Sequence, residues 1–282
     1  MQLWHYFALL TVLSGSIADI IIRMIMKKEE SDPILFTIVF QFILGIFVLT
    51  YSFTQGFSFP PPISLWPRFL LSGILYAAGS LCSFYASKTI PAGEKTILVA
   101  CGAVISVCLG VFLLGNQFSI GKTIGVALIL LSVYVLFGRE RFKMSIGVWY
   151  ALGVALFFAV AIINDIIILR TVNIYSFLPV MCFLPGVVLA IIFPRHLKKI
   201  KNLLKPKALL HISVYSLMYS VSAITFYQAL NTGASISQLS PITRASIILT
   251  VLFGVVFLGE RKHLRRKLMS AIIVSIGVLL LA

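Results

Sequence analysis

Long apolar segments follow one another along almost the whole chain. Hydrophobic residues make up 60% of the 282 residues and charged residues only 11%, and the mean hydropathy is +1.07. A soluble domain carries roughly 25% charged residues, whereas a helix needs about 20 apolar residues to cross a bilayer. The sequence therefore predicts an all-α integral membrane protein with ten transmembrane helices, at 3–26, 33–54, 68–88, 92–114, 120–138, 146–169, 174–194, 207–230, 234–258 and 265–282.

The two halves of the chain repeat each other. SLCSFYASKTIPAG from Ser80 aligns with SAITFYQALNTGAS from Ser222 at an offset of 142, and VISVCLGVFLLGN, ending at Asn116, aligns with ILTVLFGVVFLGE, ending at Glu260, at an offset of 144. We therefore expect a first five-span repeat at 1–141 and a second at 142–282, which together form one membrane domain. Because each repeat has an odd number of spans, the two are expected to be inverted relative to each other.

Basic residues are concentrated on one side of the predicted membrane. The odd-numbered connections and the span ends beside them hold 19 of the 23 Lys and Arg residues, while the other side holds Arg68, Lys122 and Arg170. Such an excess marks the cytoplasmic face, so we expect a multi-pass protein of the cell (inner) membrane with both termini on the non-cytoplasmic side. The net charge of +15 is then a topology signal and indicates no nucleic-acid partner, although the same residues could also hold anionic lipid headgroups.

Arg244 lies about ten residues inside the ninth predicted span, after Gln238 and Pro241. A charge at the bilayer centre costs about 2.5 to 3.5 kcal/mol on insertion scales, so such a residue indicates a site. Two roles are open: a structural ion pair or cap on carbonyl groups freed by Pro241, and a contact with the substrate. If Arg244 and Gln238 bind substrate, guanidinium geometry favours an anionic group such as a carboxylate or phosphate.

Asp19 and Asp165 occupy similar places in the first spans of the two repeats. Each has a basic neighbour, Arg23 at i+4 and Arg170 at i+5, and Asn164 precedes Asp165. One interpretation is an intrahelical salt bridge, which the spacing favours for Asp19 and Arg23. The other is proton coupling, since a buried carboxyl group can load a proton on one side of the membrane and release it on the other.

Other polar side chains also lie within predicted spans. Gln41, Tyr76 and Tyr219 are deep enough to line a substrate cavity, and hydrogen bonding between helices would explain them equally well. Glu94 and Lys95 open the fourth span. They form either a charge pair at the cytoplasmic end or part of a gate.

The remaining motifs indicate no catalytic chemistry. The four cysteines lie inside apolar spans without a CxxC pair, and the four histidines show no ligand spacing, so we expect no metal and no cofactor. No HExxH, GxSxG or paired-aspartate motif indicates an enzyme. Gly121 and Gly125 form a GxxxG pattern that favours close helix packing, within the chain or at a dimer face, so a monomer and a homodimer are both open.

The chain resembles the drug/metabolite transporter superfamily, and specifically its EamA-like ten-span members. The resemblance rests on the five plus five inverted spans, on the small-residue turn repeated between the third and fourth spans of each half, and on GVVFLGER at 254–261. In the first half Asn116 replaces the corresponding acid, and Pro241 and Arg244 depart from the common pattern. The resemblance implies a secondary carrier that exports small organic metabolites by alternating access, with its pathway nearest the third, fourth, eighth and ninth spans.

The alternative is a non-transporting membrane protein, such as a component of a lipid flippase or scramblase, or a sensor. A flippase should carry a polar groove that is open to lipid along one span. The charges of this chain are few and scattered instead, which favours the transporter.

Overall fold

The computed structural model describes residues 3–28, 31–59, 61–114, 119–137, 145–203, 205–234 and 236–281, and contains no β-strand in these ranges. A 3₁₀ turn, Ile63–Leu65, precedes the third of its helices. The described helices are α1 (Leu3–Met26), α2 (Pro33–Phe53), α3 (Trp66–Thr89), α4 (Ala92–Val99), α5 (Gly102–Leu114), α6 (Ile120–Phe137), α7 (Ile146–Ile168), α8 (Ile174–Ile192), α9 (Pro194–Leu197), α10 (Ile200–Leu203), α11 (Pro206–Asn231), α12 (Ile236–Leu258) and α13 (Leu264–Leu281).

Eight helical segments of the described chain are long and apolar enough to cross a membrane. They comprise α1, α2, α3, α6, α7, α8, most of α11, and the segment Ala92–Leu109 that joins α4 to α5. α12 contributes a shorter apolar stretch, Ala245–Leu258, and α13 begins with a basic turn, LRRK. The prediction of an all-helical, multi-pass membrane protein is confirmed, and the full number of ten spans stays a prediction.

The helices pack in pairs that are mirrored between the two halves. α3, the third span of the first half, packs along α7, the first span of the second half, and α11 and α1 form the reciprocal pair. The second spans, α2 and α8, and the last spans, α6 and α13, pair directly. Each of the two main clusters of buried apolar side chains draws on both halves, so neither half completes its packing alone.

The fourth predicted span is broken in two, which corrects the prediction of one helix over 92–114. α4 ends at Val99 and α5 begins at Gly102, and backbone N–H groups at the break bond to carbonyl groups three residues earlier instead of four. The absence of a side chain at Gly102 lets the start of α5 approach α7 closely, because a Cβ there would lie 2.9 Å from the Ala155 carbonyl oxygen. A stretch of 3₁₀ geometry inside a helix often marks a hinge.

The predicted GxxxG pattern supports packing inside the chain. A Cβ on Gly125 of α6 would lie 2.7 Å from the carbonyl oxygen of Gly277 of α13. In lipid, helices associate through such close backbone contacts because burial of apolar surface supplies little driving force there.

One end of the bundle collects most of the predicted basic connections, and we call it the basic end. α1 and α3 finish there, and α2 and α4 begin there. The Nζ of Lys88 donates to the Ser31 carbonyl oxygen at 2.7 Å, and the Nδ1 of His196 lies 2.8 Å from Oδ2 of Asp32. These contacts bring the first, third and seventh connections together, as the one-sided charge distribution requires.

Candidate functional site

Helices of both halves line a cavity of about 170 Å³. α1, α2, α3 and α4 contribute from the first half, and α7 and α11 from the second. Its lining combines charged and hydroxyl-bearing residues with aromatic rings. The polar residues include Asp19, Ser80, Ser83, Lys95 and Thr96, and the aromatic residues are Phe40, Phe84, Phe158, Tyr215 and Tyr219.

A second cavity, of about 250 Å³, shares Asp19 and Tyr219 with the first. Its further lining comes from α1, α11 and α12, and includes Thr11, Gly15, Ser222, Thr243 and Ser246. Gly15 and Thr11 lie about one and two turns from Asp19 toward the start of α1, so this space extends away from the basic end. We refer to the two adjoining spaces as the central cavity.

The polar focus of the central cavity is the ion pair between Asp19 and Lys95. Oδ1 of Asp19 lies 3.4 Å from Nζ of Lys95, and the two side chains are 32% and 8% exposed. The predicted intrahelical salt bridge between Asp19 and Arg23 is therefore wrong. α4 begins beside α1, which places Lys95 next to Asp19. Arg23 pairs with a different residue, Glu260.

Arg23 joins the two halves one turn of α1 closer to the basic end. Its Nε lies 3.1 Å from Oε1 of Glu260, and its Nη1 donates to the carbonyl oxygens of Ser87 and Lys88 at 2.7 and 3.0 Å. The other carboxylate oxygen of Glu260 accepts the N–H of Ala92 at 3.0 Å. Arg23 thus satisfies carbonyl groups at the end of α3, and Glu260 satisfies an N–H group at the start of α4.

A third ion pair ties α4 to α13. Oε1 of Glu94 lies 3.0 Å from Nζ of the buried Lys267. The adjacent residues Glu94 and Lys95 therefore pair with two different helices and not with each other. A pair between the two neighbours is thus not formed, and their role as part of a gate stays a prediction.

Asp165 lies toward the opposite end, buried between α7 and α3. The Ser72 hydroxyl donates to its Oδ1 at 2.5 Å, and the Tyr76 hydroxyl donates to its Oδ2 at 2.6 Å. Within the described residues no cation forms an ion pair with this carboxyl group, so the interpretation as an intrahelical salt bridge with Arg170 does not hold. Two neutral donors hold it instead.

Asn164 extends the same polar cluster. Its Nδ2 donates to the carbonyl oxygen of Arg68 and to Oγ of Ser72, both at 2.8 Å, and Nη1 of Arg68 donates to its Oδ1 at 3.3 Å. Asn164 is thus a helix-to-helix contact that positions Ser72 against Asp165.

The repeat explains why the two aspartates have different surroundings. At the offset of 142, Ser72 and Tyr76 of α3 correspond to Val214 and Met218 of α11. At these two positions α11 therefore has no hydroxyl group, although its Tyr215 and Tyr219 line the cavity together with Asp19. Asp19 instead faces the central cavity and Lys95.

Gln41 and Tyr219 have separate roles. The buried Gln41 donates from Nε2 to Oγ of Ser80 at 2.8 Å, so it holds a residue that lines the cavity and is not itself part of the lining. Tyr219 lines both spaces and meets the edge of the Phe40 ring at a centroid distance of 5.5 Å. Of the predicted substrate-binding residues, Tyr219 lines the cavity, whereas Tyr76 donates a hydrogen bond to Asp165.

The side chains of Gln238 and Arg244 lie outside the described part of the structure. Their helix, α12, continues through Pro241 without a break in its described backbone. Their predicted contacts with substrate stay predictions.

Glu260 is a functional candidate that no sequence motif predicted, although the sequence contains a signal for it. Glu260 is the only acidic residue after Asp165, in a half of the chain that is rich in basic residues. A lone acid among so many cations is a candidate for a specific ion pair. Phe40 and Tyr215 carried no comparable signal, because aromatic residues at span positions are common packing residues.

The arrangement is suited to binding a small molecule. Its groups are an ion pair, hydroxyl groups and aromatic rings, which together can hold a small organic molecule with polar and apolar parts. Among the described residues there is no group of three or more His, Cys, Asp or Glu that could hold a metal ion.

Comparison with known proteins identifies the family. A solved crystal structure superposes with a TM-score of 0.66 at 16% sequence identity, over 98% of this chain and 94% of its own, which is a likeness of fold. No curated protein matches significantly. The family profile of the EamA-like transporters matches twice, at residues 2–138 and 145–282, one match for each predicted repeat. The chain therefore belongs to the EamA-like transporter family.

Proposed function

We propose that the chain is a secondary transporter that exports small organic metabolites across the cell (inner) membrane by alternating access. The observation that carries the proposal is the central cavity, which both halves line and which holds the Asp19–Lys95 ion pair. Transporters built from two inverted repeats bind their substrates at the interface between the repeats. A cavity in that place is therefore the natural substrate site.

Two layers of ion pairs separate the central cavity from the basic end. Asp19 and Arg23 are four residues apart on α1, about 6 Å along the helix axis. Asp19 pairs with Lys95, and Arg23 pairs with Glu260, which also binds the backbone at Ala92. Both layers clamp α1 onto the start of α4. This clamp is the closed gate of the proposed transporter, and the cavity extends on its other side.

The break between α4 and α5 supplies a candidate hinge for this gate. Thr96 and Val99, in the last turn of α4, line the central cavity, and α5 begins only three residues after Val99. α4 could therefore swing with Lys95 while α5 keeps its close contact with α7. Discontinuous helices beside a substrate site are common in secondary transporters.

Asp165 is the better candidate for proton coupling. It is buried and bonded to hydroxyl groups, whereas Asp19 forms an ion pair with Lys95. A carboxyl group without a counter-ion can change its protonation state without breaking an ion pair. The Ser72 and Tyr76 hydroxyl groups can both donate and accept hydrogen bonds. They can therefore bond to the ionised and to the protonated form of Asp165.

The direction of transport and the orientation in the membrane rest on separate observations. Export is the direction implied by the family resemblance, and the 19 basic residues on one side favour a cytoplasmic basic end. A cytoplasm-active reporter fused after Ala282 should then be silent, and one inserted at Lys201 should be active. The reverse pattern would overturn the orientation.

The function itself can be tested with purified protein. Thermal-shift screening against metabolite classes should find a ligand that raises the unfolding temperature by mass action. The same ligand should then exchange in counterflow across proteoliposomes that contain the wild type, and not across those that contain Asp19→Asn/Lys95→Gln. A ligand that stabilises the protein and is never exchanged would contradict transport and favour a sensor.

A further inference from the structure

The connector between α8 and α11 carries six basic residues with no acid nearby in sequence. They are Arg195, Lys198, Lys199, Lys201, Lys205 and Lys207, all of them exposed. The chain contains no Asp or Glu between Asp165 and Glu260. None of the ion pairs formed among the described residues involves any of the six.

This connector is folded onto the bundle. Phe193 and Leu197 pack against a buried cluster that includes Ile34, Ile38 and Leu189, and Leu203 is buried. His196 contacts Asp32, which caps the start of α2. The apolar side of α9 and α10 therefore faces the protein and fixes the basic side chains on the outer side.

The apolar surface beside these cations identifies the partner. Ile191 and Ile192 end α8 directly before the connector and are 73% and 59% exposed, and Leu210, in the first turns of α11, is 62% exposed. Both helices are membrane-span candidates. The basic side chains therefore lie where two spans leave the hydrocarbon, with exposed apolar side chains on the membrane side of them.

Three other cations of the basic end are differently placed. Arg23, Lys95 and Lys267 are buried. They form ion pairs with Glu260, Asp19 and Glu94, respectively, so their charges are neutralised inside the protein. The six residues of the connector keep theirs at the surface. Clusters of four to eight basic residues next to a span attract anionic lipids, by about 1 kcal/mol for each residue.

We infer that the connector at 193–207 is a preorganised binding surface for anionic phospholipids. The lipid phosphate contacts the exposed cations, and its acyl chains lie along Ile191, Ile192 and Leu210. This surface requires only that the protein spans a membrane, and it is independent of the proposed transport.

The test uses full-length protein in a neutral detergent. Adding dioleoyl phosphatidylglycerol should raise the unfolding temperature more than dioleoyl phosphatidylcholine, and the difference should shrink as NaCl is raised, since salt screens exposed charges. The variant Lys198→Gln/Lys199→Gln/Lys201→Gln should bind the anionic lipid more weakly by roughly tenfold or more. The matched control Lys27→Gln/Lys28→Gln/Lys262→Gln removes three exposed charges from the same end and should keep the lipid effect.

Three results would overturn the inference. They are equal losses in the two triple variants, equal stabilisation by the two lipids, or full protection by inorganic phosphate alone, which would indicate a site for free anions. If the connector variant fails to fold, the charge-preserving variant Lys198→Arg/Lys199→Arg/Lys201→Arg and the salt dependence of the wild type still decide the matter. The charge-preserving variant must retain the preference for the anionic lipid, and in the wild type that preference must shrink as NaCl is raised.

Discussion

Nε of Arg23 lies 3.1 Å from Oε1 of Glu260, which connects α1 of the first half to the end of α12 in the second. Glu260 is the acid of the GVVFLGER segment, and its equivalent in the first half is Asn116. A charged clamp of this kind can thus form at the basic end, whereas the equivalent position of the other half lacks the acid. The two ends of the bundle are therefore not expected to open with equal ease.

Glu260→Gln should open the basic end more often. The variant loses the ion pair and leaves Arg23 buried without a counter-ion, a change that costs about 3 to 5 kcal/mol for a buried pair in a soluble protein. In a variant whose four native cysteines are replaced, Ser83→Cys reports access to the central cavity. We expect an impermeant thiol reagent applied from the basic side to label it severalfold faster.

Asp32→Asn is the control for this measurement. It breaks the contact with His196 at the same end without touching α4 or the cavity, and should leave the labelling rate unchanged. Equal labelling in the wild type, in Glu260→Gln and in Asp32→Asn would remove Glu260 from the gate.

Asp165→Asn should uncouple transport from the proton gradient. The amide can still accept hydrogen bonds from Ser72 or Tyr76, so the fold is expected to persist, but it cannot carry a proton. Gradient-driven accumulation in proteoliposomes should be lost, while counterflow and ligand binding stay close to wild type. Accumulation that survives in Asp165→Asn would reduce this residue to a structural contact.

The sequence predicted much of the fold because lipid leaves the chain few choices. Runs of about 20 apolar residues must be helices in a bilayer, and the repeat at an offset of 142 agrees with the mirrored contacts of α3 with α7 and of α11 with α1 that the structure shows. The ion-pair partners of the charged side chains could not be predicted in this way. Arg23 is one turn from Asp19 in sequence, yet it bonds Glu260, which is 237 residues away.

The break in the fourth span could not be predicted from the sequence either. Ala100, Cys101 and Gly102 interrupt no apolar pattern, and the helix breaks where Gly102 meets the Ala155 backbone. That contact depends on the position of α7, which tertiary packing alone decides.

The Asp19–Lys95 pair should be needed for transport more than for stability. Either single change, Asp19→Asn or Lys95→Gln, leaves one charge unpaired beside the cavity and should cost about 1 to 3 kcal/mol of unfolding free energy. The double variant removes both charges and should recover most of that loss in a thermal unfolding assay. Counterflow should stay defective in all three, and its recovery in the double variant would limit the pair to a structural role.

Arg244 should select an anionic substrate group. Arg244→Lys keeps the charge but loses the planar fork, and should weaken binding of a carboxylate or phosphate by roughly 1 to 3 kcal/mol if the contact is bidentate. Arg244→Gln should lose more, as measured by isothermal titration with the ligand found in the thermal screen. Because Ser72 and Tyr76 already hold Asp165, Arg244→Gln/Asp165→Asn should show no rescue, and restored binding in that double variant would indicate an ion pair instead.

Two-sided accessibility of the central cavity tests alternating access most directly. With Ser83→Cys as the reporter, an impermeant thiol reagent is applied to right-side-out and to inside-out vesicles, with and without ligand and a proton gradient. The account predicts labelling from the side opposite the basic end in one condition and from the basic side in another, with one side protected whenever the other is labelled. Simultaneous labelling from both sides, or permanent protection on the basic side in every condition, would contradict it.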